Sequence, residues 1–543
     1  MKTFPVWRLA RATAAIGGLL IATASPAQEG PVVSARAGQR QPRPLPAAAA
    51  DGVHLSLNDA VGLALANNED INVVVNTAEA SGYVLFENTG IFDPVAQASV
   101  TRAHSRAPVV SNFIASKSDT LVANAQISEL TPWGGTVSLG LQTEKSSSNV
   151  NILNPTYRSG LLIQFSQPLL RNFGKLPTNW LIQIARNSRD ASYQDYVRAV
   201  QTAVNGVEQA YWDLVYSIQN LEVKKESLRI AQDLNRITKI KIDVGSLAPI
   251  DITQTEFGIA TAEQDIITAE GLIGDAQDRL KRLMNVDPKA WTVPIVPTDS
   301  IRGEPVKIEV EAGVNAALDR RPEIRSQAYQ TEANRIRWEY YKNQVLPRLD
   351  LVGSYGRNGV AGTALFDPTV PRTGITDSFS QIFTDDFPDL SIALQFSYPI
   401  FNRTARGTRD AARFTYEASR ATLSTVEQNV LVDVRAAARA IDTAQRQIVA
   451  AQKGRELAER NLDAEKKKFD NGMSTTFQVN QIQRDLSAAR TTELQALVVF
   501  RKAIAAYHFA VADILDWKGV RVEGIPQTTL PPLTPVSGSA AAQ

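Results

Sequence analysis

The chain has 543 residues, 57 of them Lys or Arg and 56 Asp or Glu, so its formal net charge is +1. That balance gives no basic field to hold a phosphate backbone and argues against a nucleic-acid partner. Cysteine is absent, which excludes disulfides and an N-terminal lipid-bearing cysteine.

Lys2, Arg8 and Arg11 precede an apolar stretch from Ala12 to Ala24, then Ser25-Pro26-Ala27. This is the three-part form of a secretory signal over residues 1–27, cleaved after Ala27. Its apolar run is well short of the ~20 residues that span a bilayer. Residues 28–54, rich in Ala, Pro, Arg and Gln, read as a flexible leader. No later segment offers an uninterrupted apolar run of membrane-spanning length, so any membrane span must be built from strands.

From Leu55 the chain is written twice, over 55–309 and 310–519. Leu-Ala-Asn-Asn-Glu at 65–69 recurs as Leu-Asp-Arg-Arg-Pro-Glu at 318–323, and Pro94 recurs as Pro347. Phe165-Ser-Gln-Pro168 recurs as Phe396-Ser-Tyr-Pro399, and Gly245 as Gly472. A duplication of this kind encodes a pseudo-symmetric object.

In the first copy the strands fall at about 94–168. Val137, Leu139 and Leu141 alternate with Thr136, Ser138, Gly140 and Gln142, and Leu161, Ile163 and Phe165 continue the theme. A helical hairpin follows at about 175–285. Val197, Val200, Val204, Val207, Tyr211, Leu214, Ile218 and Leu221 are spaced alternately three and four, a 3.5-residue repeat that implies a left-handed supercoil. The arm from Pro177 to Val244 is about 70 residues, or roughly 100 Å.

In the second copy the strands fall at about 348–399, where Ile392, Leu394, Phe396 and Tyr398 alternate with Ser391, Ala393, Gln395 and Ser397. The polar, glycine-rich stretch from Arg357 to Gly374 reads as an exposed loop. The second hairpin, at about 405–515, repeats the helical stripe in register at Val479, Leu486, Ala489, Ala496 and Ala503. Residues 520–543, with Pro526, Pro531, Pro532 and Pro535, read as a disordered tail. One apolar and one small polar face also suits a soluble sandwich. Export, absent cysteine and strand lengths near those of membrane barrels favour a lipid-out, water-in sheet.

The order helix, strands, long hairpin, helix, given twice behind a signal peptide, resembles the TolC family of outer membrane efflux proteins. The local pieces are Leu57-Asn-Asp-Ala-Val-Gly-Leu-Ala-Leu-Ala-Asn-Asn68, Leu346-Pro347-Arg348-Leu349, Phe396 to Pro399 and Gly245-Ser-Leu-Ala-Pro-Ile-Asp251. The resemblance covers about Leu55 to Leu515. It implies an α+β membrane protein: a homotrimeric duct with an antiparallel β-barrel in outer membrane lipid and a long α-helical coiled-coil barrel in the periplasm of a Gram-negative cell. Six hairpins would surround one tunnel, pseudo-sixfold from a threefold trimer. The function implied is passive conduction, as the outer membrane component of a tripartite efflux or type I secretion system. The partners implied are a periplasmic adaptor (membrane fusion) protein and an inner membrane transporter.

No enzyme is expected, and no cofactor or metal. His54, His104 and His508 are scattered, and no phosphate-cradling Gly-Lys-Ser/Thr loop occurs. Two rival readings are a periplasmic adaptor, which would have one hairpin per chain, and a structural coiled-coil protein, which would not need matching strands in both copies.

The resemblance also implies a periplasmic gate at the hairpin tips. Asp251 matches the family's lock carboxylate, while Phe469 and Ser474 stand where the family has a lock tyrosine and a lock arginine. Gln478 and Gln481 stand where it has two constriction aspartates. Phenylalanine lacks the tyrosine hydroxyl and serine cannot make a bidentate pair with a carboxylate, so closure by packing and neutral hydrogen bonds is expected. Asp251 also suits a helix N-cap. Gly245 and Gly472 are expected as tip turns, near where the adaptor docks. The resemblance implies four strands per protomer. Yet 74 residues separate Pro94 from Pro168, whereas 52 separate Pro347 from Pro399. The surplus fits one more hairpin with Thr131-Pro-Trp-Gly-Gly135 as its turn, leaving open six strands or an extra collar.

Overall fold

A computed structural model describes residues 32–33, 43–47, 49–111, 114–364, 373–384 and 387–522. The signal at 1–27 and the chain from 523 onward lie outside the described residues. The first copy contains α1 (Leu57–Asn67), α2 (Glu69–Thr89), β1 (Val95–Arg106), β2 (Lys117–Leu130), β3 (Thr136–Ser148), β4 (Leu153–Pro168), α3 (Lys175–Asp243) and α4 (Ile250–Leu283). The second contains α5 (Val310–Arg320), α6 (Pro322–Gln344), β5 (Arg348–Ala364), α7 (Ile375–Thr384), β6 (Pro388–Ser397), α8 (Arg403–Asp470), α9 (Thr476–Val511) and α10 (Ile514–Trp517).

The repeated sequence motifs are helix junctions. Asn68 ends α1 and caps α2, its side chain accepting from Ile71 N, and its amide donates to Leu283 O at 2.9 Å. Arg321 stands at the α5–α6 junction and donates to Ala510 O at 2.7 Å. Leu283 and Ala510 hold equivalent places near the ends of α4 and α9, so both copies tie their junction to their own hairpin by the same route. Arg321, almost fully buried, also pairs with Glu323 and Asp433.

α3 has 69 residues and α8 has 68, each about 100 Å long at 1.5 Å per residue. The largest core lies midway, where Val200, Val204, Val207 and Leu214 of α3 meet Leu63, Ile71 and Leu280. Tyr211 Oη lies 2.7 Å from Asp299 Oδ2 and 3.0 Å from Leu55 O there, joining the inter-repeat segment to the start of α1. By length and composition α9 could cross a bilayer, but half of its most apolar stretch is buried inside the fold.

The leader is partly docked rather than flexible. Val53–Leu55 pairs in parallel with Ile295–Pro297, Val53 and Leu55 are buried, and Arg43 N donates to Asn67 Oδ1 at 2.8 Å. The Ala- and Pro-rich composition hid a short strand in which Val53 and Leu55 alternate with His54.

The membrane-type sheet has six antiparallel strands in the order β1-β2-β3-β4-β5-β6. The surplus of the first copy is therefore the β2–β3 hairpin, built into the sheet and not a collar, and the count of four does not hold. Its turn is Thr131–Gly135, closed by Thr131 N to Gly135 O at 2.7 Å with Gly134 at φ +86°. Register sorts the faces across all six strands. Ala96, Ile127, Leu139, Ile163, Tyr355 and Leu390 form one row; the next, on the opposite face, is Val95, Ser128, Ser138, Gln164, Ser354 and Ser391. The outer edges of β1 and β6 pair with nothing among the described residues.

Residues 357–364 of the expected glycine-rich loop instead complete β5. Their glycines answer a packing need: a Cβ on Gly359 would collide with Ser378 O of α7, and one on Gly362 with Pro155 O.

Candidate functional site

The two hairpins end in the same chemistry. Lys241-Ile-Asp-Val-Gly245 closes α3 and Lys468-Phe-Asp-Asn-Gly472 closes α8. Ser246 N donates to Lys241 O at 2.7 Å and Gly245 N to Ile242 O at 2.9 Å; Met473 N donates to Lys468 O at 2.9 Å and Gly472 N to Phe469 O at 3.1 Å. Both are Schellman caps, which need a left-handed residue after the helix. Gly245 (φ +76°) and Gly472 (φ +74°) supply it.

Nothing lies within 4 Å of a Cβ built on either tip glycine, so the requirement is conformational and not one of space. Gly472→Ala is expected to cost about 1–2 kcal/mol in the left-handed region. Amide exchange over 467–474 should then accelerate about 5–30-fold; an unchanged rate would mean that the tip is already open.

The descending helices start differently. Thr475 caps α9 by accepting from Gln478 N, whereas Pro249 occupies the cap of α4 without a side-chain bond. Asp251 is thus a first-turn carboxylate, placed favourably for the helix dipole, and not the N-cap that the sequence suggested. Asp251 and Gln478 each stand six residues after a tip glycine, so the copies differ here by a charge.

Phe469 is buried against Leu234, Leu462, Val479, Ile482 and Leu486. Lys241 reaches it from the other hairpin: its Nζ lies 4.4 Å from the Phe469 ring centroid and donates to Phe469 O at 2.5 Å and Asp470 O at 3.2 Å. The ammonium therefore rests on a ring face and on the C-terminal carbonyls of α8, two sites that favour a cation. Ser474 donates to Glu465 Oε1 at 2.6 Å, and Lys468 to Glu465 Oε2 at 3.1 Å. The Ser474 hydroxyl first, then the Lys468 ammonium, hold the Glu465 carboxyl below the ordinary carboxylate range.

Gln481 donates to Asp485 Oδ1 at 3.1 Å and accepts from Arg484 at 2.6 Å, while Gln478 is exposed. The tips are thus not neutral as expected. Lys241, Glu465, Arg484 and Asp485 bring charge that the sequence reading passed over. The signal for Lys241 was present, because Lys241 and Lys468 recur at the spacing of the two glycines. Among the described residues no cluster of His, Asp or Glu could hold a metal ion.

A sheet with one apolar and one polar face, its outer edges unpaired among the described residues, stands on paired helical hairpins about 100 Å long. The family model for outer membrane efflux proteins matches residues 123–286 and 313–503, one block in each copy, and the chain belongs to that family. It is an outer membrane protein whose hairpins extend into the periplasm.

The pyoverdine export outer membrane protein OpmQ of Pseudomonas aeruginosa is 24% identical over 331 residues, 59% of this chain and 65% of that protein. The match therefore spans just under two thirds of that relative's length. The outer-membrane channel OprN shares the fold at a TM-score of 0.63 and 16% identity, over 84% of this chain and 90% of that one. The open state of the MtrE channel of Neisseria gonorrhoeae does so at 0.59 and 16%, over 84% and 89%.

Proposed function

We propose that three copies form a passive channel that carries substrates from an inner membrane pump across the periplasm and outer membrane. The observation that carries this reading is the six-stranded sheet, whose apolar face needs lipid and whose two open edges need other copies. A periplasmic adaptor would dock at the tips beside Gly245 and Gly472. There a cavity of about 660 Å³ between α4 and α9 is lined by Ile250, Phe257 and Phe477, all well exposed. Such an apolar surface supports a protein partner. The pump supplies energy and selects cargo. Outer membrane fractions should give a trimer-sized band that collapses on boiling; recovery only as soluble periplasmic protein would reject the channel.

The gate comprises Asp251, Phe469, Ser474, Gln478 and Gln481, with Lys241 as the latch between the hairpins of one protomer. Pseudo-sixfold packing gives Lys468 the matching role between protomers, on the carbonyls of Ile242 and Asp243 at the end of a neighbouring α3. With amides at 478 and 481 the constriction lacks the dense carboxylate field that attracts cations. Block of single-channel current by trivalent cations should be weak, and what remains should vanish in Asp485→Asn. Low-micromolar block abolished by Gln478→Ala with Gln481→Ala would show instead that the amides form the cation site.

A further inference from the structure

The apolar face of the sheet is covered at one place. α7 lies across β4 and β5 with Ser378 Oγ 2.7 Å from Ser159 Oγ and Ile382 O accepting from Arg357 at 3.4 Å. Gln381 Oε1 accepts from Val360 N at 2.8 Å. Register puts Ser159 and Gly359 on the same face as Leu161, Ile163 and Tyr355, the face that a channel turns to lipid. α7 therefore sits outside the barrel wall. It is also near the strand ends farthest from the hairpins, because β4 runs from Leu153 at that rim to Pro168, shortly before α3 begins.

The helix has one broad apolar side, part of it against the sheet. Ser378 and Ile382 are buried on the sheet. Ile375, Phe379 and Phe383 fall at i, i+4 and i+8 and make one stripe. Phe383 is 76% exposed, and Phe387 just beyond the helix is 57% exposed. Asp377, Ser380 and Thr384 are exposed polar positions on the same helix. Phe383 adds to the apolar face on which Leu390 and Ile392 of β6 are 71% and 75% exposed, whereas Phe387 falls on the opposite alternation with Asp389 and Ser391.

From this placement we infer that α7 is a membrane-surface helix, lying at the headgroup boundary of the outer leaflet with Phe383 against lipid acyl chains. A short amphipathic helix with an exposed phenylalanine at the edge of its apolar stripe has the chemistry for that boundary. The inference rests on the channel reading above, since the apolar face meets lipid only if the sheet spans the membrane. Gly359 belongs to the same device, because a side chain there would strike Ser378 O and lift the helix off the wall.

The absence of cysteine allows a direct test on the full-length trimer in phospholipid vesicles. Spin labels are placed singly at Phe383→Cys, Ser380→Cys, Ile392→Cys and Ser391→Cys, and their accessibility to oxygen and to a water-soluble nickel chelate is measured. Phe383→Cys should match Ile392→Cys on the bare lipid face, with an oxygen-to-nickel ratio several-fold above that of Ser391→Cys in the lumen. Ser380→Cys should favour nickel. A nickel-favoured Phe383→Cys, or one closed to both reagents because another copy covers it, overturns the proposal while leaving the channel intact. A nickel-favoured Ile392→Cys overturns the channel reading and the helix proposal together.

Discussion

Replacing Lys241 and Lys468 together by methionine should convert a mostly closed trimer into a mostly open one, read as a several-fold rise in mean single-channel conductance. Lys241 joins the hairpins of one protomer through Phe469 O, Asp470 O and the Phe469 ring. Lys468 makes the corresponding join to the next protomer in the proposed trimer through the carbonyls of Ile242 and Asp243, with Ile242 in place of a ring. A cation at a helix C-terminus contributes about 0.3–1 kcal/mol, and a cation over an aromatic ring about 0.5–1 kcal/mol where exposed.

At roughly 1.4 kcal/mol for each of three Lys241 joins and roughly 0.7 kcal/mol for each of three Lys468 joins, concerted opening would shift by about 6 kcal/mol, close to the ~5.5 kcal/mol that moves an equilibrium from 1:99 to 99:1. Lys241→Met alone removes about two thirds of that and should give partial opening, while Lys241→Arg should stay closed because guanidinium keeps the charge. Methionine retains an unbranched apolar stem, so the Phe469 cluster stays covered. Unchanged conductance in the double variant would mean that the packing of Leu234, Leu462 and Phe469 alone holds the tips.

The parts of the fold legible in the sequence are those in which one physical period runs long. The stripe from Val197 to Leu221 repeats without interruption, and no local choice competes with it. Gly245 and Gly472 were legible because nothing else breaks those helices. Short elements whose composition answers a tertiary contact were not. Gly359 and Gly362 resemble loop residues until α7 lies over the first and Pro155 meets the second, and α7 is itself too short for its stripe to stand out. Val53 and Leu55 sit in a Pro- and Ala-rich run whose partner strand is more than 200 residues away. At the tips, a lysine in the last turn of a helix ordinarily reads as a solvated charge completing a dipole. That Lys241 reaches across to the end of α8 depends on how the two hairpins are set beside each other. The spacing of Lys241 and Lys468 hinted at a shared role without saying what either touches.

Viewed down its axis, the trimer should show a barrel about half again as wide as one built from four strands per chain. Six strands from each of three copies make eighteen. At ~4.8 Å between strands and a tilt of ~40°, the backbone diameter is about 36 Å, against about 24 Å for twelve strands. Deleting β2 and β3 (117–148) should restore the narrower barrel. Between Pro347 and Pro399 the second copy already shows how a two-strand unit closes, with β5 and β6 antiparallel and adjacent. The deletion leaves β1 beside β4, also antiparallel, and keeps both outer edges, so trimers should still form. Cryo-electron microscopy of the two trimers measures the width directly. Conductance should barely change, because the resistance of a duct lies at its narrowest part and the closed tips are more than 60 residues of helix away from the barrel. An equal width in both trimers would place β2 and β3 outside the wall.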